Sequence, residues 1–313
     1  MSISATTPLS LALDRTKRIL FAPFDLTKWL VLGFASFLAA LADGGGGNFT
    51  RVGDLADEQE VVDFVRENLA MVLTVAGLVA VVVIALSVVL LWLSSRGKFI
   101  FLDNVVRNEP AIRVPWKRYR EQGNSLFRYR LVLAVAVWAV ALLVGAGAAL
   151  LAWADLQAQS FGSGALGALV LLVLVLVPVV VVVAVVIWFL HDFAVPVMYL
   201  RGLSARQAMA AVWRDLIKPH LGSVFVFGLL EMLIGMGVVT VVVLATCMTC
   251  CIAGLPYVSN VVFLPFAVFM RCYSIYFIQQ LGPDWQLIGV EPEGPSPWGG
   301  PSQFTPPPGN RAQ

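Results

Sequence analysis

The sequence predicts an all-α polytopic membrane protein: a bundle of six transmembrane helices forming three outward hairpins, each preceded by a cytoplasmic amphipathic interfacial helix. Composition is the first reason. Of 313 residues, 59% are apolar or aromatic and 13% are charged, against roughly 25% charged in soluble domains. Mean hydropathy is +0.85. A water-soluble globule could not hide that much apolar surface, and a disordered chain would not carry it. The second reason is that the apolar residues fall into runs of membrane-crossing length. The third is that Lys and Arg gather between alternate runs.

A span needs about 20 apolar residues to cross roughly 30 Å of hydrocarbon. The runs 26–42, 69–93, 131–154, 166–190, 221–245 and 255–281 qualify as six spans. The valine runs Val81-Val82-Val83 and 179–183 would suit strands in water. In lipid a run of this length must satisfy its own backbone groups, and a barrel strand would alternate and be half as long, so helix is expected. No convincing cleavage site follows the first run, which is therefore read as a retained helix.

Orientation follows from the basic residues. Eighteen of the 21 Lys and Arg lie before or at the opening of span one, between spans two and three, between four and five, or after six. That side is expected to be cytoplasmic, together with both termini, in the bacterial cytoplasmic membrane. The segment 43–68 holds seven acids and two bases and is expected to face outward.

Amphipathic stretches precede the hairpins at 9–24, 98–130 and 203–217. In the last, Ala208, Val212 and Leu216 recur at helical spacing, away from Arg206, Arg214 and Asp215. Such helices place cations towards anionic headgroups. The expected headgroup residues are Arg15, Lys17, Arg18, Arg113, Lys117, Arg118, Arg120 and Arg214. Residues 282–313 are rich in Pro and Gly, build no core of their own, and are expected to form a disordered cytoplasmic tail.

Polar residues in apolar surroundings are the candidate sites. Glu231 and Arg271 lie about ten residues from the cytoplasmic ends of spans five and six, hence at one depth on antiparallel helices. They are expected to pair, either as a register device or as a site inside the bundle. His191, Asp192, Arg201, Lys218 and His220 form a second group, at the cytoplasmic ends of spans four and five. Boundary anchoring is the reading there, since no nucleophile accompanies the histidines. Cys247, Cys250 and Cys251 form a CxxCC at the outer end of span five, with Cys272 in span six. They serve as small apolar packing, or Cys247 and Cys250 close a disulfide. Further metal ligands are lacking, so no metal or cofactor is expected. The run Gly44–Gly47 lacks the Gly-Lys-Ser/Thr ending of a phosphate loop.

Three stretches carry a resemblance: PLSLALDRTKRILFAPFDLTKWLVLGF with its GGGGNF exit, HDFAVPVMYLRGLSARQAMAAVW, and CCIAGLPYVSNVVFLPFAVFMRCYSIYFIQQLG. Over residues 8–283 the chain resembles a family of uncharacterised six-helix prokaryotic integral membrane proteins. That family is similar in layout to the membrane domain preceding some glycerophosphodiester phosphodiesterases. The resemblance implies membrane residence and no enzymatic activity. The expected role is a non-enzymatic scaffold that binds membrane lipids and protein partners, and no nucleic acid. The alternative is a small-solute or ion transporter using Glu231 and Arg271.

Overall fold

The computed structural model describes residues 3–43, 67–157, 162–248 and 256–289. Every element among them is helical. In chain order these are α1 (Thr7–Phe21), α2 (Leu26–Ala40), α3 (Leu69–Arg107), α4 (Arg113–Arg118), α5 (Arg120–Gln157), α6 (Ser163–Phe189) and a π-helical turn (Leu190–Ala194). There follow α7 (Val195–Arg201), α8 (Ala205–Val212), a second π-helical turn (Trp213–Ile217), α9 (Lys218–Met248), α10 (Pro256–Val262), α11 (Leu264–Gln279) and a 3-10 turn (Pro283–Trp285).

Among the described residues, four helical stretches, Leu69–Arg107, Arg120–Asp155, Ser163–Arg201 and Ala205–Met248, are long and apolar enough to cross a membrane. Each is longer than a crossing requires. The 39 residues of α3 extend about 58 Å, nearly twice the hydrocarbon thickness. Its two halves differ accordingly. The first is apolar and exposed, as are the apolar lengths of α5, α6 and α9, where Leu143 and Leu174 are 75% and 70% accessible. The second half, from Ser94 to Val106, is buried without interruption.

The core is built where the four apolar lengths end. It takes the C-terminal half of α3, the start of α5 (Leu126), the first π turn with α7, the start of α9 (Val224, Phe227), and one face each of α1, α2, α8 and α11. Phe193, Phe227, Tyr273 and Phe277 pack ring on ring here, with Phe227 4.5 Å from both Tyr273 and Phe277. On α1 the buried residues Ala12, Arg15, Thr16, Ile19 and Leu20 recur at helical spacing and form one face. Asp25 caps α2, accepting from the Thr27 and Lys28 amides at 2.8 and 3.3 Å.

Several expectations need correction. The first expected span is the 15-residue α2, about 22 Å long and short of a full crossing. It packs on the buried half of α3. Ala39 O accepts from Ser94 Oγ, and Lys28 Nζ donates to Asn108 Oδ1. The contact is so close that a Cβ on Gly97 would lie 2.6 Å from the Leu38 carbonyl carbon. The sixth expected span is divided at Phe263 into α10 and α11, with Pro265 opening the second piece.

The stretch 98–130 does not lie in the plane of the interface as one amphipathic helix. Its ends continue α3 and begin α5, and Phe99, Ile100, Phe101 and Leu102 are core residues. Likewise Ala208, Val212 and Leu216 face the protein core. The first residues of the expected tail are also packed, with Trp285, Leu287 and Ile288 buried; the rest of it lies outside the described residues.

Candidate functional site

At the boundary between the apolar lengths and the core, four ionisable side chains converge from four elements. Asp43 follows α2, Lys98 lies on α3, Arg130 on α5 and His191 in the first π turn. Lys98 Nζ donates to one Asp43 carboxylate oxygen in a very short ion pair. Arg130 Nη2 donates to the other at 2.5 Å. The second Arg130 amino group reaches Ser94 Oγ at 3.2 Å. Lys98 and Arg130 are buried, whereas Asp43 keeps 26% of its side chain accessible.

His191 is positioned by Lys98, whose Nζ is 3.3 Å from Nδ1. An ammonium can only donate, so Nδ1 accepts and the ring proton sits on Nε2. That nitrogen is buried with no hydrogen-bond partner among the described residues, 3.8 Å from the Asp43 carboxylate. Burial alone raises the Asp43 carboxyl above its ordinary pKa. The charges of Lys98, His191 and Arg130 outweigh that effect and hold it below the ordinary value.

The π turn links this cluster to a second one. A π turn widens the helix and disturbs its regular hydrogen bonding. The His191 and Asp192 carbonyls accept from side chains on α11: Arg271 Nη1 at 2.8 Å and Ser274 Oγ at 2.6 Å. The expected direct ion pair between Glu231 and Arg271 is not formed. Glu231 instead accepts from Trp188 Nε1 at 2.7 Å and also interacts with the Asp192 carboxyl. Arg271 acts on Glu231 through space while its bond goes to the π turn. Glu231 and Arg271 do lie near each other, but the indole and the backbone carbonyl that they bond come from the end of α6 and the π turn that follows it.

The remaining expected residues are dispersed. Arg201 stacks over Trp285, 4.1 Å from the ring centre. Lys218 is exposed, and His220 sits at a kink within α9. Cys247 carries a free thiol, Cys272 is buried, and Cys250 and Cys251 lie outside the described residues. Among the expected headgroup residues, Arg15 is buried and donates to the Val106 carbonyl at 3.2 Å. Lys17, Arg18, Arg113, Lys117, Arg118, Arg120 and Arg214 are exposed.

Sequence reasoning missed Asp43, Lys98 and Arg130, which were read as loop or flank charges. Each does sit close beyond an apolar run, and that is the one signal the sequence offers. A second buried hub was also missed. Asp103 accepts from Tyr199 Oη at 2.9 Å, Arg107 Nε at 3.0 Å and Tyr119 Oη at 3.2 Å. This hub joins α3, α7 and the end of α4.

Aromatic residues mark the same boundary as the ionic cluster. The Arg96 guanidinium lies 4.5 Å from the Trp92 ring and 5.0 Å from that of Trp116, and Trp188 stands one turn before His191. Indoles at the ends of apolar runs are the signature of a membrane–water interface. Among the described residues, four helices long and apolar enough to cross a membrane, set on a packed helical base, mark a helical membrane protein. Residues 3–264 match the model of DUF7544, a family of unknown function, and the chain belongs to that family. No curated protein and no solved structure matches it.

Proposed function

We propose that the protein is a non-enzymatic component of the bacterial cytoplasmic membrane that binds anionic lipid headgroups, and through them or beside them protein partners, with its helical base on the cytoplasmic side. The observation that carries this reading is the placement of charge. Arg113, Lys117, Arg118 and Arg120 are exposed on and beside α4, next to the Trp92–Arg96–Trp116 stack at the end of an apolar run. Cations at that level meet the phosphates of the leaflet, at about 1 kcal/mol each near an anionic surface. Both ends of the described chain belong to the base, since Ser4 and Gln280 exchange hydrogen bonds. With the basic residues cytoplasmic, the termini are cytoplasmic too.

The test is lipid co-purification. Protein isolated from native membranes should carry more phosphatidylglycerol and cardiolipin than the bulk membrane. Changing Arg113, Lys117, Arg118 and Arg120 to Gln should lower that enrichment. An unchanged lipid profile by mass spectrometry would reject the headgroup reading.

Transport of a small solute or ion is the second reading. It is favoured by the convergence of ionisable residues at the ends of the apolar helices, with Glu231 and Arg271 among them. Solute-dependent flux in proteoliposomes that is lost in Glu231→Gln would support it over the first.

A further inference from the structure

We propose that Lys98, Arg130 and His191 form a binding site for an oxyanion, a phosphate ester or a carboxylate, and that Asp43 is its resident, exchangeable occupant. This deepens the headgroup reading by giving it a defined site.

The donor set is built for an anion. Two buried cations from different helices converge on one carboxylate, and the Arg130 guanidinium is held by Ser94. Among the described residues the one anion in direct contact with the cluster's cations is Asp43, and it is the most exposed member. Asp43 therefore stands at the open side, with the cations behind it.

The carboxylate does not complete the site. It takes Lys98 and Arg130 but leaves the buried His191 Nε2 3.8 Å away without a hydrogen bond. A phosphate ester has further oxygens and gives that N–H an acceptor, which Asp43 does not. A buried donor left unsatisfied is costly, so an incoming oxyanion has an advantage to set against the tethering of Asp43.

Attachment permits exchange. Asp43 lies beyond the end of α2, so its displacement leaves that helix intact. Position specifies the ligand class. Arg130 and His191 flank apolar runs directly and Lys98 follows one within a few residues, at the level where Trp92 and Trp188 mark the interface. Lipid phosphates occupy that level, and water-borne phosphate also reaches it.

The test uses full-length protein in phosphatidylcholine nanodiscs. Asp43→Ala empties the site and should lower the melting temperature. Inorganic phosphate should then raise the melting temperature of this variant by several degrees, saturably, beyond potassium chloride at equal ionic strength. The wild type should respond less, because its site is filled. Adding Lys98→Met to Asp43→Ala should abolish the response. If phosphatidylglycerol in the nanodisc restores the variant without added phosphate, the ligand is a lipid headgroup. If only inorganic phosphate does so, it is a soluble oxyanion.

Equal responses to phosphate, phosphatidylglycerol and chloride would overturn the site. Should Asp43→Ala fail to fold, wild-type protein decides the matter. Phosphate or phosphatidylglycerol should speed hydrogen exchange in residues 36–43 as Asp43 is displaced, and an unchanged rate overturns exchangeability. The Arg113–Arg120 surface is untouched in these experiments, so failure here and failure of the broader headgroup reading are separable.

Discussion

Gly97→Ala is a severe substitution by one methyl group. The added Cβ would stand 2.6 Å from the Leu38 carbonyl carbon, 2.7 Å from the Ala39 nitrogen and 2.8 Å from Leu38 Cβ. Two of these atoms are backbone, so no rotamer change relieves the contact, and α2 must move off α3. Overpacking of this kind costs about 1–3 kcal/mol. Alanine's better helix propensity returns at most ~1 kcal/mol. Displacing α2 also draws Ala39 O away from Ser94 and Asp43 away from Lys98, so the upper part of the range is expected. Gly145→Ala is the control. It makes the same change in the long helix α5, where nothing lies within 4 Å of the new Cβ. Thermal unfolding in detergent, followed by far-UV circular dichroism, should show a clear loss for Gly97→Ala and none for Gly145→Ala. Equal stability of the two variants would refute the close packing of α2 on α3.

Three further outcomes follow from the geometry. Asp43 is held below its unfolded pKa, so its stabilisation is fully present above about pH 4 and is lost as pH falls through the lower folded value. An acid titration of the melting temperature should show this limb in the wild type and a weaker one in Asp43→Asn. Asp155 Oδ2 accepts from the Ala165 and Gly162 amides at 2.7 and 3.1 Å, tying the end of α5 to the first turn of α6. Asp155→Ala should cost about 0.5–2 kcal/mol in the same unfolding assay. Glu231→Gln retains an acceptor for the Trp188 indole and Glu231→Leu does not, so the leucine variant should alter Trp188 fluorescence more, with equal spectra arguing against the 2.7 Å bond.

The helical, membrane-spanning character was legible because it rests on run length and composition, which one-dimensional reading measures directly. α3, α5 and α9 each contain one of the expected spans, and α6 contains all but the last residue of another. The base was not legible. Its residues 94–106 read as a basic flank, because Ser94, Ser95, Arg96, Lys98, Asp103 and Asn104 are polar. They are buried nonetheless, and Ser94, Arg96, Lys98 and Asp103 each meet a partner from a distant part of the chain. Arg15 illustrates the same limit. It reads as a headgroup cation on an amphipathic helix, yet the buried face of α1 includes it and Val106 O accepts from it. Hydrophobic periodicity cannot reveal a buried arginine, since the partner that makes burial tolerable lies 91 residues away. Length also misled at the first span. The run 26–42 is apolar enough, but the helix ends at Ala40 and its apolar side is used on α3 and α10. Trp29 Nε1, for instance, donates to Val261 O at 2.9 Å.

The most direct measurement is a double-mutant cycle between Asp43 and Lys98. If residue 43 opened a loop on the outer face, it would lie a membrane's thickness from Lys98, Arg130 and His191, and the two residues could not interact. The structure joins them in one partly buried ion pair. Asp43→Asn, Lys98→Met and the combined variant should be compared by equilibrium unfolding in the same detergent. Asp43→Asn leaves two buried cations uncompensated and should cost about 3–5 kcal/mol. The double variant should be more stable than the sum of the single losses implies, by about 1–3 kcal/mol. Losses that add to within ~0.5 kcal/mol would contradict the cluster and return Asp43 to the opposite side of the membrane.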